Sequence, residues 1–196
     1  MSHGNRSYRR AAALAAASAA CIASSVSAQT AWRVDPERTQ VHWEVRHFDT
    51  STARGRFDRI EAQLGFDPAA RRGELAVTVA TASVSSGLAV FDRALRGPFM
   101  LDVEAQPTAW FIARQFDFEG DRLAAVRGEL TLRGVTRGLE LKALSFGCRQ
   151  EEPAGAELCG GDFEGELRRT DFGINHALPF AADRVRLLVS VQARRP

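Results

Sequence analysis

The chain has 196 residues, 45% of them hydrophobic and 26% charged, with 26 basic against 24 acidic side chains. That balance suits one soluble globular domain and excludes a disordered or fibrous chain. It also provides no basic face of the kind nucleic acids require.

The first element is a targeting segment. Arg6, Arg9 and Arg10 precede an Ala-rich run from Ala11 to Ala23, and the small residues Val26-Ser27-Ala28 follow. This is the pattern of a secretory signal peptide, with cleavage expected after Ala28. The apolar run is too short to span a bilayer. Three of the 26 basic residues leave with it, so residues 29–196 keep 23 basic against 24 acidic side chains and form one domain that is nearly neutral.

The remaining chain reads as short alternating segments broken by Gly, Pro, Asp and Asn, the signature of an all-β protein. From Thr39 to Thr50, Val41, Trp43, Val45 and His47 share one face of a strand, because successive side chains point to opposite sides. In GRFDRIEAQLGFD the apolar parity changes between Phe57 and Ile60, which predicts a bulge or bend at Asp58 and Arg59. Leu75, Val77 and Val79 mark the next strand. Leu88, Phe91, Leu95 and Phe99 then recur at helical spacing, so residues 87–104 form one short helical excursion, a lid or plug, interrupted at Gly97-Pro98. TAWFIARQFDF is apolar on both parities, and its faces are not assignable by alternation. A turn at Glu119-Gly120-Asp121 leads to the alternating Val126, Leu130 and Leu132. Further strands cover Gly138 to Phe146, Asp162 to Thr170, and the run carrying Val185, Leu187, Val189 and Val191. Eight to ten strands of this kind suffice for a closed antiparallel barrel.

Cys148 and Cys159 are the two cysteines outside the leader, and in an oxidising compartment they are expected to form a disulfide across the intervening loop. All twelve Phe and three Trp also lie outside the leader, whereas the single Tyr, Tyr8, lies within it. Phe brings large apolar area with no polar tip, so the interior is either an ordinary aromatic core or a lining for hydrocarbon. Two polar side chains share inward parities. His47 is either a strand-end residue bonded to backbone or a contact for the polar end of a ligand. Arg169, in phase with Phe163 and Leu167, needs a carboxylate such as Asp171 or Glu44, backbone carbonyls, or a ligand oxygen. Esterase, zinc-protease, phosphate-loop and dinucleotide motifs are all missing from the sequence.

Five ordered motifs resemble the YceI-like family of periplasmic polyisoprenoid-binding proteins. They are WRVDPERTQVHWEVRH, with Trp43 where phenylalanine is usual; Gly55-Arg56-Phe57; FMLDVEAQPTAWF; GELTLRGVTRGLEL; and Arg169-Thr170-Asp171-Phe172-Gly173. The resemblance runs from Trp32 to Val191. It implies a lipocalin-like, extended antiparallel β-barrel that holds a polyisoprenoid or isoprenoid-quinone lipid, and it puts His47 and Arg169 on the family's His and Arg positions.

The resulting expectation is an exported, periplasmic, non-enzymatic lipid carrier with no cofactor, metal, nucleic-acid partner or permanent membrane span, and with a homodimer left open. Its apolar lining would comprise Val41, Trp43, Val45, Phe57, Leu75, Val77, Leu88, Phe91, Phe99, Phe111, Leu130, Leu132, Phe172 and Val189. Its polar contacts would be His47 and Arg169. The competing readings are a barrel enzyme, with His47 as general acid/base and Arg169 stabilising an anion, and a filled barrel serving in stress or protein interaction.

Overall fold

A computed structural model describes Met1 and residues 31–152 and 155–195, so the signal-peptide expectation lies outside the described residues. The strands are β1 (Ala31–Val34), β2 (Gln40–His47), β3 (Ser51–Phe57), β4 (Ile60–Asp67), β5 (Arg72–Ala80), β6 (Val84–Ser85), β7 (Thr108–Glu119), β8 (Arg122–Leu132), β9 (Val135–Glu151), β10 (Ala156–Arg168) and β11 (Ala181–Arg195). They form one antiparallel sheet in the order β1-β4-β5-β7-β8-β9-β10-β11-β2-β3-β6, and β1 pairs back onto β11. The sheet therefore closes as an eight-stranded barrel, as the sequence predicts.

Two of its staves are broken. β11 pairs with β1 through Arg194 and Ala193 and with β2 from Ser190 to Ala181, so β1 and β2 occupy one position in the wall. β3 and β4 likewise share one position, β3 beside β2 and β4 beside β1. The expected bend at Asp58 and Arg59 is the joint between them. Both freed backbone N–H groups are satisfied by Ser83, through its carbonyl at 3.1 Å and its hydroxyl at 3.1 Å.

β7 explains why its faces were unreadable. Ala109, Phe111 and Ala113 are buried, but the register with β8 shifts between Ala113 and Gln115, and Phe116 then takes the inward side. One extra residue flips the apolar parity mid-strand, leaving Trp110 and Ile112 outside. The helical excursion is α1 (Ala89–Arg96), the sole α-helix among the described residues. It stops at Gly97, and its Phe91 and Leu95 face inward against Trp43 and Val84.

Three apolar clusters stack along the barrel. The middle one contains Phe111, Leu139, Leu141 and Phe163. One end is filled by Trp32, Phe66, Cys159 and Ala193. Cys148 and Cys159 face each other in register on β9 and β10 and are joined by the expected disulfide. The other end is capped by α1 over Trp43, Val84 and Leu95. Among the described residues no helix is long and apolar enough to cross a membrane.

Candidate functional site

The barrel holds a partly open cavity of about 140 Å³ between the filled end and the capped end. Inward-facing side chains of the whole ring line it, from Phe66, Cys159 and Ala193 at one extreme to Leu139 and Leu187 at the other. Along β11 the lining runs from Leu187 to Ala193, roughly 20 Å of strand at ~3.3 Å per residue. The space is thus long and narrow. Leu187 also packs into the α1 cluster, so the cavity abuts the cap directly.

Of the residues expected to line a ligand space, Val41, Leu75, Val77, Phe111, Leu130 and Val189 do face the cavity. Trp43, Val45, Phe57 and Phe91 lie next door, in the cluster beneath α1. Leu132 is half-buried at the end of β8, and Phe172 is buried in a 3₁₀ turn (Arg169–Phe172) beside an outer groove. Leu88 and Phe99 are corrected: they are 66% and 73% exposed. The helix begins only after Leu88, which is its extended N-cap, and ends before Phe99, so the helical stripe does not reach either residue.

His47 is also corrected. It keeps its strand parity but sits at the last position of β2, where the wall has ended, and it is exposed with its ring 4.4 Å from Phe48. It is not an interior group. Arg169 is interior, at 4% exposure, and the carbonyl alternative holds for it. Its Nε, Nη1 and Nη2 donate to the carbonyls of Ala182, His176 and Ala181 at 2.8, 2.6 and 2.7 Å. Burial pushes the guanidinium pKa below its ordinary value, with Asp183 opposing. One bond reaches the 173–180 loop and two reach the start of β11, so together they tie the end of that loop to the barrel mouth and leave the group no role as a free cation in the cavity.

Several lining residues were missed. Phe116 was hidden by the β7 bulge, whereas Ile60, Leu64 and Phe66 and also Leu187 and Val191 were readable as in-phase neighbours of the strands already recognised. Thr39, which also borders the cavity, was not singled out. Charged side chains are held outside. Glu44 joins Arg54 at 2.7 Å and Arg186 at 3.3 Å, and Arg186 joins Glu164 at 2.7 Å. The Arg54 hydrogen bond holds the Glu44 carboxyl below its usual range, and the Arg186 hydrogen bond does the same for Glu164. Glu157 lies beside the bonded cysteines, but the two sulfurs are spent on each other and offer no thiolate to a metal. The cavity thus presents apolar surface and no titratable group, an arrangement suited to holding hydrocarbon.

A family model described as the YceI-like domain matches residues 32–193. The chain belongs to the YceI-like family. A YceI-like relative, the UPF0312 protein of Pseudomonas aeruginosa, is 33% identical over 189 residues, covering 94% of this chain and 96% of the relative. Among solved structures, Burkholderia cenocepacia BcnA superposes with a TM-score of 0.69 at 21% identity, covering 81% of this chain and 98% of that one. A polyisoprenoid binding domain from Saccharophagus degradans gives a TM-score of 0.61 at 14% identity, covering 85% and 99%.

Proposed function

We propose that this YceI-like protein is an exported, non-enzymatic carrier that shields a polyisoprenoid, an isoprenoid quinone or a similar amphiphile from water inside its barrel. The observation that carries this reading is the interior cavity, whose lining is apolar around the full ring while, among the described residues, every histidine and every ion pair lies outside it. Membership of a YceI-like family and the polyisoprenoid-binding neighbour agree with it. Cleavage after Ala28 would deliver residues 29–196 to the periplasm as a single lipid-binding domain.

Size sets the terms of binding. A dry apolar cavity of about 150 Å³ is known to take a benzene-sized guest. The present 140 Å³ therefore holds a ring or a short stretch of tail as it stands. A longer isoprenoid requires the inward side chains to turn aside and α1 to lift. Each methylene removed from water contributes about 0.8 kcal/mol, so ten of them contribute roughly 8 kcal/mol before the costs of association and opening. Specificity in tail length is accordingly loose.

Native mass spectrometry of protein recovered from a periplasm, followed by organic extraction, tests the proposal. The expected result is a bound amphiphile in near-stoichiometric amount, displaced by added isoprenoid. Reproducible absence of any lipid, together with no uptake of added isoprenoid, would overturn it.

A further inference from the structure

The large apolar side chains left exposed on this barrel gather at one end. Among the described residues, the connections at the filled end, 68–71 and 120–121, carry none of them. The connections at the capped end carry six: Phe48, Leu88, Val90, Phe99, Leu178 and Phe180, between 36% and 73% exposed. Trp110, Ile112 and Leu144 lie apart from these, on strands of the outer wall. The six come from three tips, which are the β2–β3 turn, α1 with its flanks, and the 173–180 loop. Phe48 packs on Phe180 with ring centroids 5.3 Å apart, and its N–H donates to the Phe180 carbonyl at 2.7 Å. Phe99 stacks on His176 of the same loop at 5.9 Å, so that loop joins the other two tips into one rim beside the cap. α1 already fills its inner face with Phe91 and Leu95, and its outward Ala89, Val90 and Ala94 add nothing to the core.

Size and charge say what the rim fits. At about 200 Å² for each aromatic ring and roughly 100 Å² for each aliphatic side chain, the exposed fractions amount to roughly 500–600 Å². That is large for an apolar patch on a monomer, yet short of the roughly 800 Å² that each partner buries in a stable protein interface. A second copy of the chain is therefore a poor match. A bilayer asks for no complementary shape and takes aromatic and aliphatic tips into its interfacial layer one by one. The exposed charges on the tips are Arg46 and Arg93 against Asp49, because Asp92 is turned inward onto Ser86. Among the described residues neither arginine forms an ion pair, unlike Arg54, Arg168 and Arg186 on the wall. Both guanidinium groups are free for headgroup phosphates. Exposed Arg137, Glu104 and Asp171 around the same end include both signs, so no strong field builds up and a zwitterionic surface suffices.

We propose that the capped end docks on the surface of a lipid bilayer, with Phe48, Phe99 and Phe180 entering the interfacial layer and Arg46 and Arg93 meeting phosphates. The proposal rests on the carrier reading and deepens it. The helix that has to lift for a lipid to pass is then itself part of the docked surface, and the guest moves between bilayer and cavity without crossing water.

Flotation with vesicles of phosphatidylcholine, alone or with a minor share of phosphatidylglycerol, tests the docking without any isoprenoid. The native protein should float with both. The double variant Phe99→Ser/Phe180→Ser should bind about tenfold more weakly, with an unchanged melting temperature because both rings are largely exposed. Arg46→Ala/Arg93→Ala should weaken binding about two- to fivefold, and less in high salt. Leu144→Ser, on the outer wall, should bind like the native chain. If the double phenylalanine variant does not fold, Leu88→Ser/Val90→Ser serves the same comparison. Failure of the native protein to float, or equal flotation of the folded rim variant, would overturn the docking. So would sedimentation velocity showing a native dimer that the rim substitutions dissolve, since the rim would then belong to a second copy. Farnesol uptake measured without vesicles is read separately: its absence overturns the carrier reading, whereas uptake without flotation overturns the docking alone.

Discussion

The two ends of the barrel are closed by different means. At one end Trp32, Phe66, Cys159 and Ala193 fill the space, Phe66 lies within 5.7 to 6.5 Å of Phe116, Phe118 and Phe146, and the disulfide ties β9 to β10. Outside it, Arg71 pairs with Asp121 and Arg194 with Glu151. At the other end an eight-residue helix covers Trp43, and its anchors are polar: Ser86 donates to Asp92 from backbone and hydroxyl at 2.7 and 2.6 Å, and Arg96 donates to the carbonyls of Ala82 and Val84 at 2.8 Å each. Around this cap Leu88, Val90, Phe99, Phe48 and Phe180 are exposed. An eight-residue helix is not stable by itself, so the cap persists only through its contacts and can leave as a unit. The filled end holds the barrel together; the capped end is where the proposed carrier would open.

The strongest way to break this contrast is Phe66→Ala. Loss of so buried a ring should destabilise the fold by about 3–5 kcal/mol in urea unfolding while leaving the release rate of a bound isoprenoid nearly unchanged. Replacing both cysteines by serine should cost roughly 3 kcal/mol on the chain-entropy account, read as a melting temperature lower by about 5–10 °C. Leu95→Ala acts on the other end. Its cost should fall near the lower limit for such truncations, about 2 kcal/mol, because a short helix can settle into the space, but isoprenoid release should quicken by about tenfold or more.

Acid should separate the ends in a subtler way. Hydrogen bonds from Arg54 lower the Glu44 pKa, and those from the Ser86 hydroxyl and backbone N–H lower that of Asp92. For Asp183, burial works upward, but bonds from Arg168 and Thr170 outweigh it and the net direction is down. Groups with lowered folded values stabilise at and above the ordinary carboxylate range of about 4, and that contribution disappears as pH falls through their lowered values. The helix cap and the mouth should therefore loosen below about pH 4, seen as faster hydrogen exchange in α1 than in β1 and β4, whereas the disulfide is indifferent to acid. The smallest effect expected is that of Arg54→Ala, under about 1 kcal/mol and smaller still in high salt, because the arginine is largely exposed and Glu44 keeps Arg186 as a partner.

Much of the barrel was legible because antiparallel strands with one wet face write their burial as alternation, as in Val185, Leu187 and Val189. The parity break at Asp58 also marked a real bend. The failures share a cause, which is that parity says which side a residue faces but not where the wall stops. His47 keeps its phase beyond the last buried turn of β2, and Leu88 and Phe99 keep helical spacing beyond the ends of the helix. Arg169 was recognised as buried, but its partners are one loop carbonyl and two at the irregular start of β11, where there is no period to read.

The outer arginine and glutamate ladder has a consequence apart from stability. Arg54 faces Glu44 in register, Glu44 faces Arg186, and Arg186 reaches diagonally to Glu164, so one chain of charge crosses β3, β2, β11 and β10. Sliding any of these strands by a single residue would turn its charged row inward and its apolar row outward. Each pair adds little to how firmly the finished barrel holds. Together they act as a proofreader of alignment, since a misthreaded sheet would forfeit the whole chain of pairs at once.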